Sequence, residues 1–169
     1  MTYCVEFYDG KKFYLNHEII SDYNLKADME IPESAIEEVA YASDLRRARE
    51  RALYLIGFRD HSYKELFQKL DKNYPEEICI EICDKMVKLG LINDERYAEK
   101  LARDLIEVKH YGSYRAKFEM QRKGIAKELA ETALEPYDDE TIDRLAVLVE
   151  RKYARYLVDR KGVQKVKSA

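Results

Sequence analysis

The sequence predicts an all-α protein made of tandem three-helix-bundle repeats, elongated and curved, preceded by a short N-terminal β-hairpin. Three observations lead to this fold class. Of 169 residues, 37% are charged and only six are Gly and three Pro, which is typical of long solvated helices. Helix starts recur about every 50 residues, and a fixed period predicts a repeated supersecondary unit. Between them, apolar residues follow the i, i+3, i+4, i+7 spacing of amphipathic helices.

The repeat is clearest at three helix starts. In the first, Ser62 and Glu65 form a capping box: the Ser62 hydroxyl accepts from the N–H of Glu65, and the Glu65 carboxylate reaches back to the N–H of Ser62. Stretches beginning at Gly112 and Gly162 have the same register at intervals of 50 residues. Because such small units gain a stable core by stacking, we expect a curved rod of tandem bundles.

The first residues predict a β-hairpin. Asp9-Gly10 is the preferred pair for a two-residue type I′ turn, because both central positions need φ > 0. Tyr3, Val5 and Phe7 would then share one face of the first strand. An isolated hairpin is marginal in water, so we expect it to pack on the helices, to pair with another strand or to dock on a partner. A short helix around 18–22 follows.

Two further helices are expected between the hairpin region and the capped helix that starts at Ser62. A capping box at 34–37 begins one helix, and a second is expected over 44–57. A further helix begins near Pro75 and ends at Gly90, where Leu91 would make the hydrophobic contact of a Schellman-type stop. The apolar stripe predicted for the helix over 44–57 consists of Leu45, Ala48, Ala52, Leu55 and Ile56.

The second unit begins with a helix capped by Asn93 or Asp94 and ended by Gly112. A short helix then runs to a glycine stop at 123–125, and a third covers 127–134. The apolar stripe of its first helix is Ala98, Leu101, Ala102 and Leu105.

Asp138 and Asp139 are expected to cap the first helix of a third unit, which ends at Ala169 before two further helices could form, as in a natural short form or a shortened chain. Its predicted inward residues are Ile142, Leu145, Val149, Tyr153 and Tyr156. The predicted domains are a hairpin and linker helices (1–43), repeat 1 (44–91), repeat 2 (92–136) and an incomplete repeat 3 (137–169).

No residue pattern predicts an enzyme, a cofactor or a metal site. His17, His61 and His110 are isolated, and we expect the last two to be satisfied or exposed residues at helix junctions. Cys79 and Cys83 are spaced i, i+4 and could offer two thiolates, but no neighbouring ligand completes a site, so a core position is favoured. The chain has no apolar run of about 20 residues and no secretory leader, which predicts a cytoplasmic protein without a membrane partner, and we expect a monomer.

Charge is distributed unevenly. Residues 1–43 carry three lysines against nine carboxylates, a net charge of −6, and the remainder has a net charge of +3. An acidic head on a basic body favours a polyanion or an acidic protein surface as partner. The alternative is an ordinary solvated helical surface. The candidate basic face consists of Arg46, Arg47, Arg51, Arg59, Lys109, Arg115, Lys117, Arg122, Lys123, Arg144, Arg151 and Arg155.

Tyrosines are frequent, with 14 in the chain and no Trp. Tyr63 and Tyr114 lie beside the starts of equivalent helices. They could stack on nucleic-acid bases or seal the junctions between units. Sealing is favoured, because repeated aromatic residues usually serve packing.

Three stretches resemble the RecX family in their order and spacing, over about residues 44–169. The resemblance implies a regulator of the RecA recombinase, built from three three-helix repeats, that binds the groove of the RecA–DNA filament and mostly inhibits RecA ATPase and strand exchange. It implies roles in recombinational DNA repair and the SOS response, and contact of the basic face with filament and DNA. The stretches are Ala52-Leu-Tyr-Leu55…Arg59-x-x-Ser62-x-x-Glu65-Leu66-x-x-Lys69-Leu70, Leu89-Gly90-Leu-Ile-Asn93-Asp94-x-x-Tyr97-Ala98 and Lys109-x-x-Gly112…Lys123-Gly124-Ile125.

Two other functions are compatible with the residues. A stand-alone helical-repeat protein would bind single- or double-stranded DNA without RecA, with an affinity that falls as salt rises. A helical adaptor would use its acidic head and basic body to pair with itself or with a second copy. A requirement for the RecA filament separates the regulator from both.

Overall fold

The computed structural model describes residues 2–6, 10–138 and 141–157, with only the backbone of residues 2, 33, 141–144 and 154–157. The chain divides into two compact units, unit 1 (Met1–Asn93) and unit 2 (Asp94–Ala169). Helices dominate both, and the sole described strands form an N-terminal antiparallel hairpin. The predicted all-α class with a short N-terminal β-hairpin is therefore confirmed. Within the described ranges, no helix is both long and apolar enough to cross a membrane.

The two strands and eight α-helices of the described residues are numbered along the chain. A π-helical turn (Asp104–Val108) continues α5, and a 3-10 turn (Glu135–Tyr137) follows α7. The elements are β1 (Thr2–Glu6), β2 (Lys12–Asn16), α1 (His17–Asp22), α2 (Glu33–Phe58), α3 (Tyr63–Leu70), α4 (Glu76–Lys88), α5 (Asp94–Arg103), α6 (Ser113–Arg122), α7 (Lys127–Leu134) and α8 (Thr141–Leu157).

The hairpin is present, but its register differs from the prediction. Glu6 pairs with Lys12, whereas a two-residue turn at Asp9-Gly10 would place Glu6 opposite Phe13. The observed register leaves five residues, 7–11, between the two strands. A shift of one residue also changes which side chains share a face. Residues 7–9 lie outside the described part of the chain, and the turn prediction falls partly on them.

The hairpin packs on the helical body, which is one of its three expected destinations. Leu15 of β2, Ile19 of α1 and Val39 of α2 form a small buried core. The Asn16 side chain caps α1 by accepting from the N–H of Ile19 at 3.0 Å. Only part of the predicted strand face is covered, since Tyr3 is exposed and Val5 is half-buried.

The two helices expected over 34–57 are a single helix, α2, of 26 residues. No side chain caps its start at Pro32, so the capping box predicted at 34–37 is wrong. Ser43 is buried within α2, and its hydroxyl donates to the Tyr14 carbonyl at 3.4 Å. Contact with the hairpin therefore carries the helix through this position. The domain boundary at 43/44, like those at 91/92 and 136/137, stays a proposal.

The C-terminal half of α2 forms a three-helix core with α3 and α4. The predicted stripe of α2 is confirmed, with Ala48, Ala52 and Leu55 buried. Ser62 caps α3 as expected, because its hydroxyl accepts from the N–H of Glu65 at 3.0 Å. The buried members of this core, called core 1, are Ala48, Ala52, Leu55, Leu66, Leu70, Ile78, Cys79, Ile82, Cys83, Met86 and Ile92.

Glycine stops end α4, the last helix of core 1, and α6, the middle helix of unit 2, as predicted. Gly90 has φ +68° after α4 and Gly124 has φ +86° after α6, a conformation that costs glycine no steric penalty. The N–H of Leu91 donates to the carbonyl of Met86 at 2.9 Å, which is the 6→1 bond of a Schellman motif. Leu91 is 38% exposed and its neighbour Ile92 enters core 1, while the predicted hydrophobic contact of Leu91 stays a prediction.

In unit 2, α5, α6 and α7 surround a second core, called core 2. The predicted α5 stripe is confirmed, and α7 has the predicted bounds. The helix that continues α5 ends at Val108, before Gly112, and Gly112 is the N-cap position of α6. The π-helical turn buries the consecutive residues Leu105 and Ile106, which an α-helix would point in more divergent directions. The buried members of core 2 are Ala98, Ala102, Leu105, Ile106, Ala116, Met120, Ile125, Ala130 and Leu134.

Only part of the third predicted stripe is buried. Leu145 of α8 is 55% exposed, so its predicted inward position is wrong, while Val149 and Tyr153 are half-buried. Among the described residues, core 2 contains no member of α8, which leaves Leu145 without an apolar layer to enter. The predicted inward side chains of Ile142 and Tyr156, and the predicted cap Asp139, lie outside the described residues.

Candidate functional site

Six of the twelve residues of the predicted basic face form ion pairs within their own unit. Exposed pairs of this kind add little stability, about 0–1 kcal/mol each. They also lower the positive charge that a phosphate backbone would meet. The pairs are Arg46 with Glu18 and Glu50, Arg47 with Asp44, Arg59 with Glu65, Lys109 with Asp104, Lys117 with Glu131, and Arg122 with Glu119.

Arg59 organises the junction between α2 and α3. Its two terminal nitrogens bind the Glu65 carboxylate at 2.8 and 2.5 Å, and one also donates to the carbonyl of Asp60 at 2.9 Å. A bidentate guanidinium–carboxylate pair fixes geometry as well as charge. Arg59 therefore holds the start of α3 in place.

His61 is buried at the same junction, and both ring nitrogens have partners. Nδ1 lies 2.9 Å from the carbonyl of Arg59, and Nε2 lies 3.0 Å from Nζ of Lys69. Because Lys69 can only donate, Nε2 accepts and the proton of the neutral ring lies on Nδ1. Burial lowers the pKa of His61, and the positive charges of Arg59 and Lys69 lower it further. The expectation of a satisfied junction histidine is confirmed.

Because the pKa of the buried His61 is lowered, we expect unit 1 to lose stability in mild acid. The unfolded chain takes up a proton on His61 below about pH 6.5, while the folded chain resists it, so unfolding becomes easier as pH falls from about 6.5 towards the lowered pKa. Urea unfolding at pH 7.5, 6.5 and 5.5 checks this. The His61→Gln variant should be less stable at pH 7.5 but show a smaller loss over this range. An equal loss in both proteins would assign the pH effect to other groups.

Two of the predicted arginines stack on tyrosines. The guanidinium carbon of Arg51 lies 5.3 Å from the ring centroid of Tyr54, and that of Arg115 lies 3.9 Å from the ring centroid of Tyr111. Both arginines are exposed, and in the described part of the chain neither forms an ion pair with a carboxylate. Stacking orients a guanidinium while leaving its N–H groups available. Among the described residues, each unit therefore presents an exposed arginine that is oriented by stacking.

The remaining predicted basic residues fall into three groups. Arg151 is exposed on α8, and Lys123 is half-buried at the end of α6. The side chains of Arg144 and Arg155 lie outside the described residues. That the basic residues form one interface stays a prediction.

The two tyrosines singled out from the sequence have different environments. Tyr63 packs against core 1, and its hydroxyl donates to Asp84 Oδ1 at 2.9 Å; burial and this carboxylate raise its pKa to about 12. Tyr114 is 89% exposed, so the prediction that it seals a junction is wrong. The buried residues of α3 and α6 match at an offset of 50, which places Tyr114 at the solvent-facing position of Lys64.

Sequence reasoning missed exposed aromatic residues on α2 and α6. Tyr54 and Phe58 of α2 are 56% and 71% exposed, and their ring centroids lie 4.7 Å apart in an edge-on arrangement. Phe118 of α6 is 61% exposed, one turn after Tyr114. Their positions outside the buried stripes of α2 and α6 could have revealed them, because an aromatic residue there has no core to enter.

The two helical cysteines belong to core 1, as predicted. Both Cys79 and Cys83 are fully buried. Burial raises the pKa of both thiols, that of Cys83 to about 12. A metal ligand is the thiolate, so these positions suit packing better than coordination.

Two family descriptions match the chain in tandem. The description "RecX, first three-helix domain" matches residues 48–86, which cover the helices around core 1. The description "RecX, second three-helix domain" matches residues 93–134, which cover the helices around core 2. Their order along the chain is the order of the two units.

Named relatives agree with these matches. "Regulatory protein RecX" of Prosthecochloris aestuarii is 34% identical over 57% of this chain and 64% of its own length. The protein of the same name from Clostridioides difficile is 26% identical over 89% of this chain and 73% of its own length. The crystal structure of RecX from Lactobacillus salivarius is 30% identical, with a TM-score of 0.66 over 75% of this chain and 85% of that one. The chain thus spans less than two thirds of the first relative and about three quarters of the second.

Proposed function

Because this chain belongs to the RecX family, we propose that it regulates the RecA recombinase by binding the RecA–DNA filament. It lowers RecA ATPase and strand exchange, and so acts in recombinational DNA repair and the SOS response. It acts as a cytoplasmic monomer and contributes no catalytic step.

One observation on the chain itself carries the proposal. Each three-helix unit presents an exposed arginine, Arg51 or Arg115, that is stacked on a tyrosine and is not neutralised by a carboxylate among the described residues. A repeating polyanion such as a nucleoprotein filament offers phosphates at regular intervals, so one oriented cation per unit suits it. A paired cation such as Lys109 would have to give up its contact with Asp104 to bind a phosphate, so it would contribute less binding free energy than an unpaired cation.

Titration of this protein into a RecA ATPase assay tests the proposal. The assay uses RecA from the same organism on single-stranded DNA, with strand exchange measured in parallel. We expect inhibition below one copy per RecA, because a protein in the filament groove affects several RecA subunits. No effect on either activity at a large molar excess would refute RecA regulation by this chain.

Binding to nucleic acid without RecA is the second candidate function. Exposed aromatic residues beside the arginines favour it, because bases stack on such rings in proteins that bind single strands. An affinity for DNA that RecA does not increase, together with unchanged RecA ATPase, would support this function over the first.

A further inference from the structure

One face of α6 combines aromatic rings with arginines. Tyr114, Phe118 and Arg122 follow one another at i, i+4 and i+8, so they lie along one side of the helix, and Arg115 lies beside them. Tyr114 is 89% exposed, Phe118 is 61% exposed, and the Arg122 side chain is 67% exposed. These four residues are called the α6 face.

Packing within unit 2 does not explain the two rings. Core 2 is filled from the opposite side of α6 by Ala116 and Met120. At the matching positions of α3, unit 1 has the exposed polar residues Lys64 and Gln68, so the three-helix bundle does not need aromatic residues there. Large exposed apolar groups at such positions indicate an interaction surface.

The charges beside the rings favour a polyanion over an apolar partner. Arg115 stacks on the half-buried Tyr111, which holds its guanidinium in a defined plane. Arg122 is paired with Glu119 at 3.1 Å, and the Glu119 side chain is 22% exposed, so one carboxylate offsets part of the positive charge. Two arginines against one largely covered carboxylate leave the α6 face positive.

We propose that the α6 face binds single-stranded DNA, with Tyr114 and Phe118 stacking on bases and Arg115 and Arg122 contacting the backbone. The rings are about 6 Å apart along the helix axis, which lets them receive two neighbouring bases of an unstacked strand. Base stacking on exposed rings with flanking cations is the general mode of single-strand recognition without sequence preference. This inference deepens the proposed function, on which it rests, because it assigns the α6 face to the DNA of the filament.

Binding of a fluorescent oligo(dT) strand to the full chain, without RecA, tests the inference. Each ring replaced by Ala should weaken binding about fivefold or more, so the Tyr114→Ala, Phe118→Ala double variant should lose at least about 25-fold. The Tyr14→Ala variant, which removes a hairpin ring as exposed as Phe118 (61%) and outside the α6 face, should bind like the wild type. The Arg115→Gln variant should flatten the dependence of log K on log salt by about 0.7, the value for one single-strand phosphate contact.

The chain contains no Trp, so the fluorescence of a single introduced Trp reports directly on stacking at its position. The indole of a Tyr114→Trp variant should be quenched when oligo(dT) binds. A Gln68→Trp variant, at the position of α3 that matches Phe118, should keep its fluorescence. Because a Trp can replace a Tyr in stacking, the Tyr114→Trp variant should also retain the affinity of the wild type.

The outcomes separate this inference from the regulatory function. If the wild-type protein inhibits RecA but does not bind oligo(dT), the inference is refuted and RecA regulation stands. The same holds if the wild type and the double alanine variant bind oligo(dT) equally well and the indole at position 114 is not quenched. Inhibition lost in the double variant with unchanged oligo(dT) binding would assign the α6 face to RecA protein instead. Oligo(dT) binding through the α6 face without any effect on RecA would support the inference and refute the regulatory function.

Discussion

Replacing Leu66 by Ala is expected to lower the free energy of unfolding of unit 1 by about 3 kcal/mol. Leu66 of α3 is fully buried in core 1, between residues of α2 and α4. Truncation removes the transfer free energy of the lost methyl and methylene groups and leaves a cavity, and such changes cost about 2–5 kcal/mol. This is a large share of the stability of a small domain.

Urea unfolding together with amide hydrogen exchange in α3 and α4 measures this loss within unit 1. Leu89→Ala is the matched control, because Leu89 is 57% exposed and the same truncation should change stability by less than about 0.5 kcal/mol. Equal effects of the two substitutions would contradict the assignment of Leu66 to the core.

Reversing the charge of both stacked arginines is expected to raise the concentration needed for half-inhibition of RecA by about 100-fold. Each of Arg51→Glu and Arg115→Glu removes an attraction to phosphate and adds a repulsion, and a loss of about 1.4 kcal/mol per site is a factor of ten. Both side chains are exposed, so the variants should fold. The RecA ATPase titration measures the change.

The matched control reverses two cations that are already paired. Arg47→Glu with Lys109→Glu makes the same change in net charge, but these side chains bind Asp44 and Asp104 at 3.4 and 3.1 Å. We expect less than a tenfold change in half-inhibition, because the wild-type pairs already offset much of the attraction. Equal losses in the two double variants would show that net charge, rather than the stacked arginines, governs the interaction.

Local chemistry made much of the fold predictable. The Ser62 cap, the positive φ of Gly90 and Gly124, and the bounds of α7 each follow from a few neighbouring residues, and all are confirmed. The apolar stripes of α2 and α5 are predictable as well, because a period of 3.6 residues leaves few ways to bury the same side chains. The separate helix expected from residue 44 was wrong, because α2 runs through Ser43, whose hydroxyl contacts the hairpin.

The candidate site depended more on tertiary contacts. Sequence identified the basic residues, but Arg46 meets Glu18 from another helix, and Lys117 meets Glu131 from another helix. Such partners are separated by 28 and 14 positions, so local spacing does not reveal which charges are neutralised. That Arg51 and Arg115 have no carboxylate partner in the described part of the chain became clear only from these contacts.

The sequence by itself determined the all-α class, the tandem three-helix period, the helix stops and the resemblance to the RecX family, because these depend on residue type and spacing along the chain. Tertiary structure alone decided the continuity of α2, the register of the hairpin, the burial of His61 and the exposure of Tyr114. The physical reason is that burial and ion pairing depend on groups far apart in sequence. These interactions determine the position of a side chain more strongly than the residues next to it in the chain do.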